Sequence, residues 1–189
     1  SQNRFERICE IYTKTERKYM RKLALNDEIL LKIEKPARYI GNEINSVMKD
    51  KNEVDIRLAM CFPDVYEIGM SHLGMKIIYD QMNRRDDVYC ERVFSPWVDL
   101  DKVMREENIP LFALESQDPV FMFDFLAVTI QYEMCYTNIL QILDLSQIGI
   151  YAKDRREDAP FVIGGGILVA LAFLTDTLRS EEHTSELQS

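Results

Sequence analysis

The sequence predicts an α/β domain built on a doubly wound parallel sheet, and three observations carry that expectation. Four short apolar runs, Val54–Phe62, Val88–Phe94, Phe125–Ile130 and Phe161–Ile163, are rich in β-branched and aromatic residues and lie between turn-forming residues. Helix-spaced apolar stretches separate them. Phe125–Ile130 (FLAVTI) is apolar at nearly every position, as expected of a strand covered on both faces. Alternating strands and helices at this spacing form right-handed βαβ units, which places helices on both sides of a parallel sheet.

Each element follows in order. Leu23, Ile29, Leu30 and Ile33 suggest a short amphipathic helix that Pro36 ends, and Tyr39–Glu43 reads as an ordered loop. Val54–Phe62 is the first strand. Ser71 is the expected N-cap of a helix over Ser71–Arg84, with Leu73, Ile77, Ile78, Tyr79 and Met82 facing inward. Val88–Phe94 is the second strand. Asp99–Asn108 is a helix carrying Leu100, Val103 and Met104, followed by Pro110 and an extended piece over Leu111–Leu114. After the third strand comes a helix over Thr137–Ile148, with Ile139, Leu140, Ile142, Leu143 and Leu145 inward. Phe161–Ile163 then runs into Gly164-Gly165-Gly166. The class is flavodoxin-like or Rossmann-like, with an α+β arrangement of the same elements as the alternative. The sheet is expected to be incomplete at its C-terminal side.

Composition narrows the function. The 189 residues carry a net charge of −9, which argues against tracking a phosphate backbone, so no nucleic-acid partner is expected. Apolar residues make up 47% and charged residues 29%, an ordinary globular balance. No apolar run reaches the roughly 18 residues of a membrane span, and no signal peptide is evident, so a cytoplasmic domain is expected. Cys9, Cys61, Cys90 and Cys135 lack metal or redox spacing and read as small buried hydrophobes. Residues 179–189 read as a translated sequencing adapter and 167–178 as out of frame. Residues 1–19 read as upstream read-through or an exposed helix, and 20–53 as an N-terminal helix and lead-in to the main domain over 54–166.

In an open parallel sheet, ligands bind beyond the carboxyl ends of the strands. After the first strand, residues 63–74 read as a long loop whose glycines let backbone approach a ligand, feeding a helix N-terminus. The third strand is followed by Gln131-Tyr132-Glu133 and the fourth by the glycines. The chain has no P-loop and no G-x-G-x-x-G. His72, without a second ligand nearby, reads as a histidine that hydrogen-bonds locally. Trp97 and Phe94 are expected in the core. No complete catalytic constellation is present, and no catalytic or metal residue is assigned.

The runs YIGNEINSV, FPDVYEIGMSHLG, ERVFSPW, PLFALES, IQYEMCYTNIL and VIGGG, in that order between Leu30 and Gly166, resemble the N-terminal part of a bacterial radical S-adenosylmethionine family. Its members carry a cobalamin-binding-like domain ahead of the radical core. The resemblance implies cobalamin as cofactor here, near Asp64, Tyr66, Gly69, Ser71, Thr129, Gln131, Gly164 and Gly165. The D-x-H-x-x-G pattern of such domains aligns with Asp64–Gly69, placing Tyr66 where the cobalt-binding histidine stands. The C-x-x-x-C-x-x-C motif for a [4Fe–4S] cluster is absent, so cluster and S-adenosylmethionine are implied only for a core outside this sequence. That core is the expected partner. A cofactor-free docking domain is the alternative. Under the cobalamin reading, valine at Gly69 is expected to abolish cofactor binding while leaving the fold intact.

Overall fold

The computed structural model describes residues 23–166. Expectations for 1–19, for Cys9, and for 167–178 and 179–189 fall outside the described residues.

Four strands form one all-parallel sheet in the order β2-β1-β3-β4. They are β1 (Ile56–Phe62), β2 (Val88–Phe94), β3 (Phe125–Thr129) and β4 (Phe161–Gly165). This is the doubly wound, flavodoxin-like arrangement, with the switch point between β1 and β3. Register runs Leu58↔Cys90 between β1 and β2, Leu58↔Phe125 between β1 and β3, and Thr129↔Gly165 between β3 and β4.

Side-chain alternation divides the core into two layers. On one face Ala59, Cys61, Val93, Leu126 and Val128 pack with Leu100 and Met104 of α4 (Val98–Glu106) and with Ile142, Leu143 and Leu145 of α5 (Cys135–Leu145). Leu25, Ile29 and Ile33 join this layer. On the other face Met60, Phe62, Cys90 and Phe94 meet Met75 and Tyr79 of α3 (Leu73–Asn83).

Several local expectations change. The N-terminal helix is one turn, α1 (Asp27–Leu30), capped by Asn26 Oδ1 accepting from the Ile29 amide at 2.9 Å. Residues 63–74 are not an open loop: they contain a second helix, α2 (Tyr66–Ser71), between β1 and α3. Ser71 therefore closes α2 rather than capping α3, and its Oγ donates to the Glu67 carbonyl at 2.7 Å. The cap of α3 is His72, whose Nδ1 accepts from the Met75 amide at 3.1 Å, the local hydrogen bond expected of it. The face of α3 that meets the sheet is Met75, Tyr79 and Met82, at i, i+4 and i+7, which leaves Leu73, Ile77 and Ile78 exposed. Leu140 of α5 is likewise exposed, and Trp97 is 43% exposed beneath the Arg38 guanidinium, 5.6 Å from the ring centroid. Cys61, Cys90 and Cys135 are buried thiols, as expected.

β2 lies at a sheet edge, yet every residue in it is buried. Side chains and a loop complete its outer side. Asn83 donates to the Cys90 carbonyl at 2.9 Å and accepts from the Cys90 amide at 3.0 Å, copying a strand neighbour. Leu114 donates its amide to the Arg92 carbonyl at 2.8 Å, and Glu115 accepts the Arg92 amide at 2.6 Å. Lys49 caps the Val88 carbonyl at 2.6 Å. Asn83→Ala strips both bonds from Cys90 and is expected to cost about 1–3 kcal/mol in chemical denaturation, with the m-value unchanged.

Candidate functional site

The carboxyl ends of β1 and β3 frame the switch point, where a ligand crevice is expected. The chain bridges this opening with its own side chains. Tyr132 donates its hydroxyl to Asp64 Oδ2 at 2.6 Å, and Asn138 donates to the Pro63 carbonyl at 2.8 Å. Asp64 Oδ1 accepts from the Val65 amide at 2.7 Å. The bond to Asp64, followed by burial, pushes the Tyr132 phenol up to about 12, so it stays a neutral donor. Ser95 at the end of β2 donates to Gln141 of α5 at 2.5 Å.

The eight expected site residues fall into two groups. Asp64, Thr129, Gly164 and Gly165 lie at the carboxyl ends of β1, β3 and β4, with Gln131 just beyond β3; Thr129 Oγ1 donates to the Cys61 carbonyl at 3.4 Å. A Cβ on Gly165 would meet nothing within 4 Å, so that edge is open. Tyr66, Gly69 and Ser71 belong instead to α2, on the β2 side of β1. Gly69 faces inward: a Cβ there would sit 2.3 Å from Phe94 Cε1 and 3.2 Å from Phe62 Cβ. The space that glycine was expected to lend a ligand is filled by two core aromatics, so packing alone requires it.

Tyr66 is the residue expected where a cobalt-binding histidine would stand. Its hydroxyl donates to Glu43 Oε1 at 3.0 Å, and its ring meets Phe94 edge-on at 5.5 Å. Burial, then the Glu43 hydrogen bond, pushes the phenol up to about 12. A neutral phenol committed to a carboxylate does not fit the part of a cobalt ligand.

Sequence reasoning missed a buried ionic cluster beside this group. Arg92 on β2 pairs through Nε with Glu115 Oε1 at 2.6 Å, and both side chains are almost wholly buried. Its Nη2 donates to Ser46 Oγ at 3.0 Å and lies 3.5 Å from Glu43 Oε2, while the guanidinium stacks 4.5 Å over the Tyr79 ring. On the opposite face Glu91 pairs with Arg57 at 2.7 Å and accepts the Ser116 amide at 2.8 Å. The signal was present: Glu91 and Arg92 interrupt an otherwise apolar strand, and adjacent strand residues point to opposite faces. A cavity of about 20 Å³, room for one water molecule, lies beside Arg92, Phe94 and Leu114.

Burial pushes the Glu115 carboxyl up to about 7, outweighing the Arg92 guanidinium that pulls it down. Its folded value lies above its ordinary one, so the stability it contributes is full below about pH 4.5 and is lost as pH rises to about 7. Denaturant midpoints measured from pH 4.5 to 8 should therefore fall relative to those of Glu115→Gln. Parallel curves for the two proteins would refute this.

This arrangement defines a flavodoxin-like α/β domain, doubly wound and bridged across its switch point, whose described residues hold no cluster of three or more metal-ligating side chains. The chain belongs to the family described as radical SAM proteins, N-terminal, which matches residues 74–175. No curated protein and no solved structure matches the chain. Radical SAM chemistry uses S-adenosylmethionine and a [4Fe–4S] cluster, which belong to the family's radical core. No helix among the described residues is long and apolar enough to cross a membrane.

Proposed function

We propose that this chain is the accessory α/β domain of a radical S-adenosylmethionine iron–sulfur enzyme and serves the radical core by docking rather than by holding a cofactor. The carrying observation is that protein side chains occupy the expected cofactor position: Phe94 and Phe62 fill the space at Gly69, and Tyr66 is bound to Glu43. The bridge from Tyr132 to Asp64 supports the same reading. The proposed docking face is β4, where Phe161 is 72% and Ile163 49% exposed. The family match runs from α3 through this strand, and its description places further protein after it. In the assembled enzyme, the cluster and S-adenosylmethionine would supply hydrogen abstraction from the core.

A second reading, cobalamin binding, is favoured by the open edge at Gly165 beside Thr129 and Gln131. An absorbance titration of the folded chain with hydroxocobalamin and methylcobalamin separates the two. Docking predicts no saturable spectral change, together with co-purification of a cluster-binding core supplied as a separate polypeptide. A saturable change would overturn docking in favour of the cofactor.

A further inference from the structure

Beside Tyr66, one carboxylate of the chain sits among donors placed as a ligand carboxylate would need them. Glu43 lies in a surface turn closed by the Ser46 amide donating to the Glu43 carbonyl at 2.9 Å. The turn follows two consecutive left-handed residues, Gly41 at φ 64° and Asn42 at φ 72°. The Glu43 side chain reaches inward, and the Ser46 hydroxyl beside it also meets Arg92. Its Oε1 accepts from Tyr66, and its Oε2 accepts from Ser46 Oγ at 3.2 Å and faces Arg92 Nη2 at 3.5 Å.

Two of the donors, Tyr66 and Arg92, are built into a helix and a strand, whereas the carboxylate and Ser46 belong to the same surface turn. Tyr66 is fixed against Phe94, and Arg92 is held by Glu115 and the Tyr79 ring. Arg92 also has capacity to spare: its Nη1 makes only two long contacts, 3.5 Å to Asn45 Oδ1 and 3.4 Å to Met70 Sδ. A guanidinium buried to 2% exposure with such weak partners on one nitrogen is an anion site not fully used. It lies between the sheet face and the helices that cover it, beside the residues that follow β1 and two residues from the end of β2.

The geometry points to a binding site for a carboxylate-bearing small molecule or peptide group at Tyr66, Ser46 and Arg92, with Glu43 as the internal carboxylate that occupies it until a ligand displaces it. Rotation of the Glu43 side chain to solvent vacates the site without moving Tyr66 or Arg92. This site is independent of the docking role.

Chemical rescue tests it on the full chain. Glu43→Ala should melt about 2–4 °C below the parent, and acetate should restore the loss saturably where chloride at equal ionic strength does not. The parent, where acetate must displace Glu43, should respond only at higher acetate than the variant needs, and a parent indifferent at every concentration would overturn displacement. Glu43→Ala with Tyr66→Phe should lose most of the rescue. Inorganic phosphate is the comparison anion, and rescue by phosphate alone would overturn the carboxylate assignment. A folded Glu43→Ala protein indifferent to acetate would overturn the site. Glu43→Gln keeps the Tyr66 and Ser46 contacts without the charge. If it and Glu43→Ala both fail to fold, the carboxylate is structural and the proposal falls.

Discussion

Gly69→Val is expected to destabilise the domain by about 2–3 kcal/mol, seen as a fall in Tm of roughly 6–12 °C, because it overpacks the contact between α2 and the sheet. The added Cβ would stand 2.3 Å from Phe94 Cε1, and Phe94 cannot swing away freely. Its ring is buried in the same layer as Phe62, Met75 and Tyr79 and is held edge-on by Tyr66. Gly69→Ala places the same Cβ and should recover only part of the loss. Phe94→Leu, combined with Gly69→Ala, should relieve the clash and leave a smaller loss than the two single changes summed. A Gly69→Val protein as stable as the parent would mean that α2 stands further from β2 than described. This reverses the expectation that valine there spares the fold.

Arg92→Ala should be more damaging still, about 3–5 kcal/mol, because it leaves the Glu115 carboxylate inside the protein without its guanidinium. The same change removes the Ser46 and Glu43 contacts, so the lead-in segment should lose hydrogen-exchange protection before the sheet does. Arg92→Lys keeps the charge but not the fork that serves Glu115 and Ser46 together, and should fall between parent and alanine. The alanine protein should recover more stability on acidification than the parent, since a protonated Glu115 no longer needs a cation. Equal losses at pH 5 and pH 8 would show that packing, not charge, sets the cost.

The strands were the most legible part of the sequence. The sequence marks Val88–Phe94 to the residue, and β1 and β3 to within two, because strands buried on both faces carry their signal in composition. The helices were legible in place but not in facing. In α3 apolar residues stand on both sides, and the sheet takes Met75, Tyr79 and Met82 while Leu73, Ile77 and Ile78 stay exposed, so apolar spacing alone does not give the facing. Nothing in YEIGMS marks a helix, since its glycine reads as a loop and its reason for being there is an aromatic ring on another strand. The site was legible only as a location, the end of β1. Its polar partners come from Glu43, Ser46 and Glu115, which meet β2 from distant parts of the sequence and show no local pattern.

The finished edge at β2 gives the sheet a direction of growth. With Asn83, Lys49 and the segment around Leu114 satisfying its outer backbone groups, that side offers no ladder for another strand. At the far side, β4 pairs with β3 alone among the described strands. Any chain that lengthens this sheet, whether a neighbouring segment, a partner or an errant copy during misfolding, must join at β4. Selection against self-association therefore has one border to guard, and a single charged or proline residue placed there would act on the whole sheet.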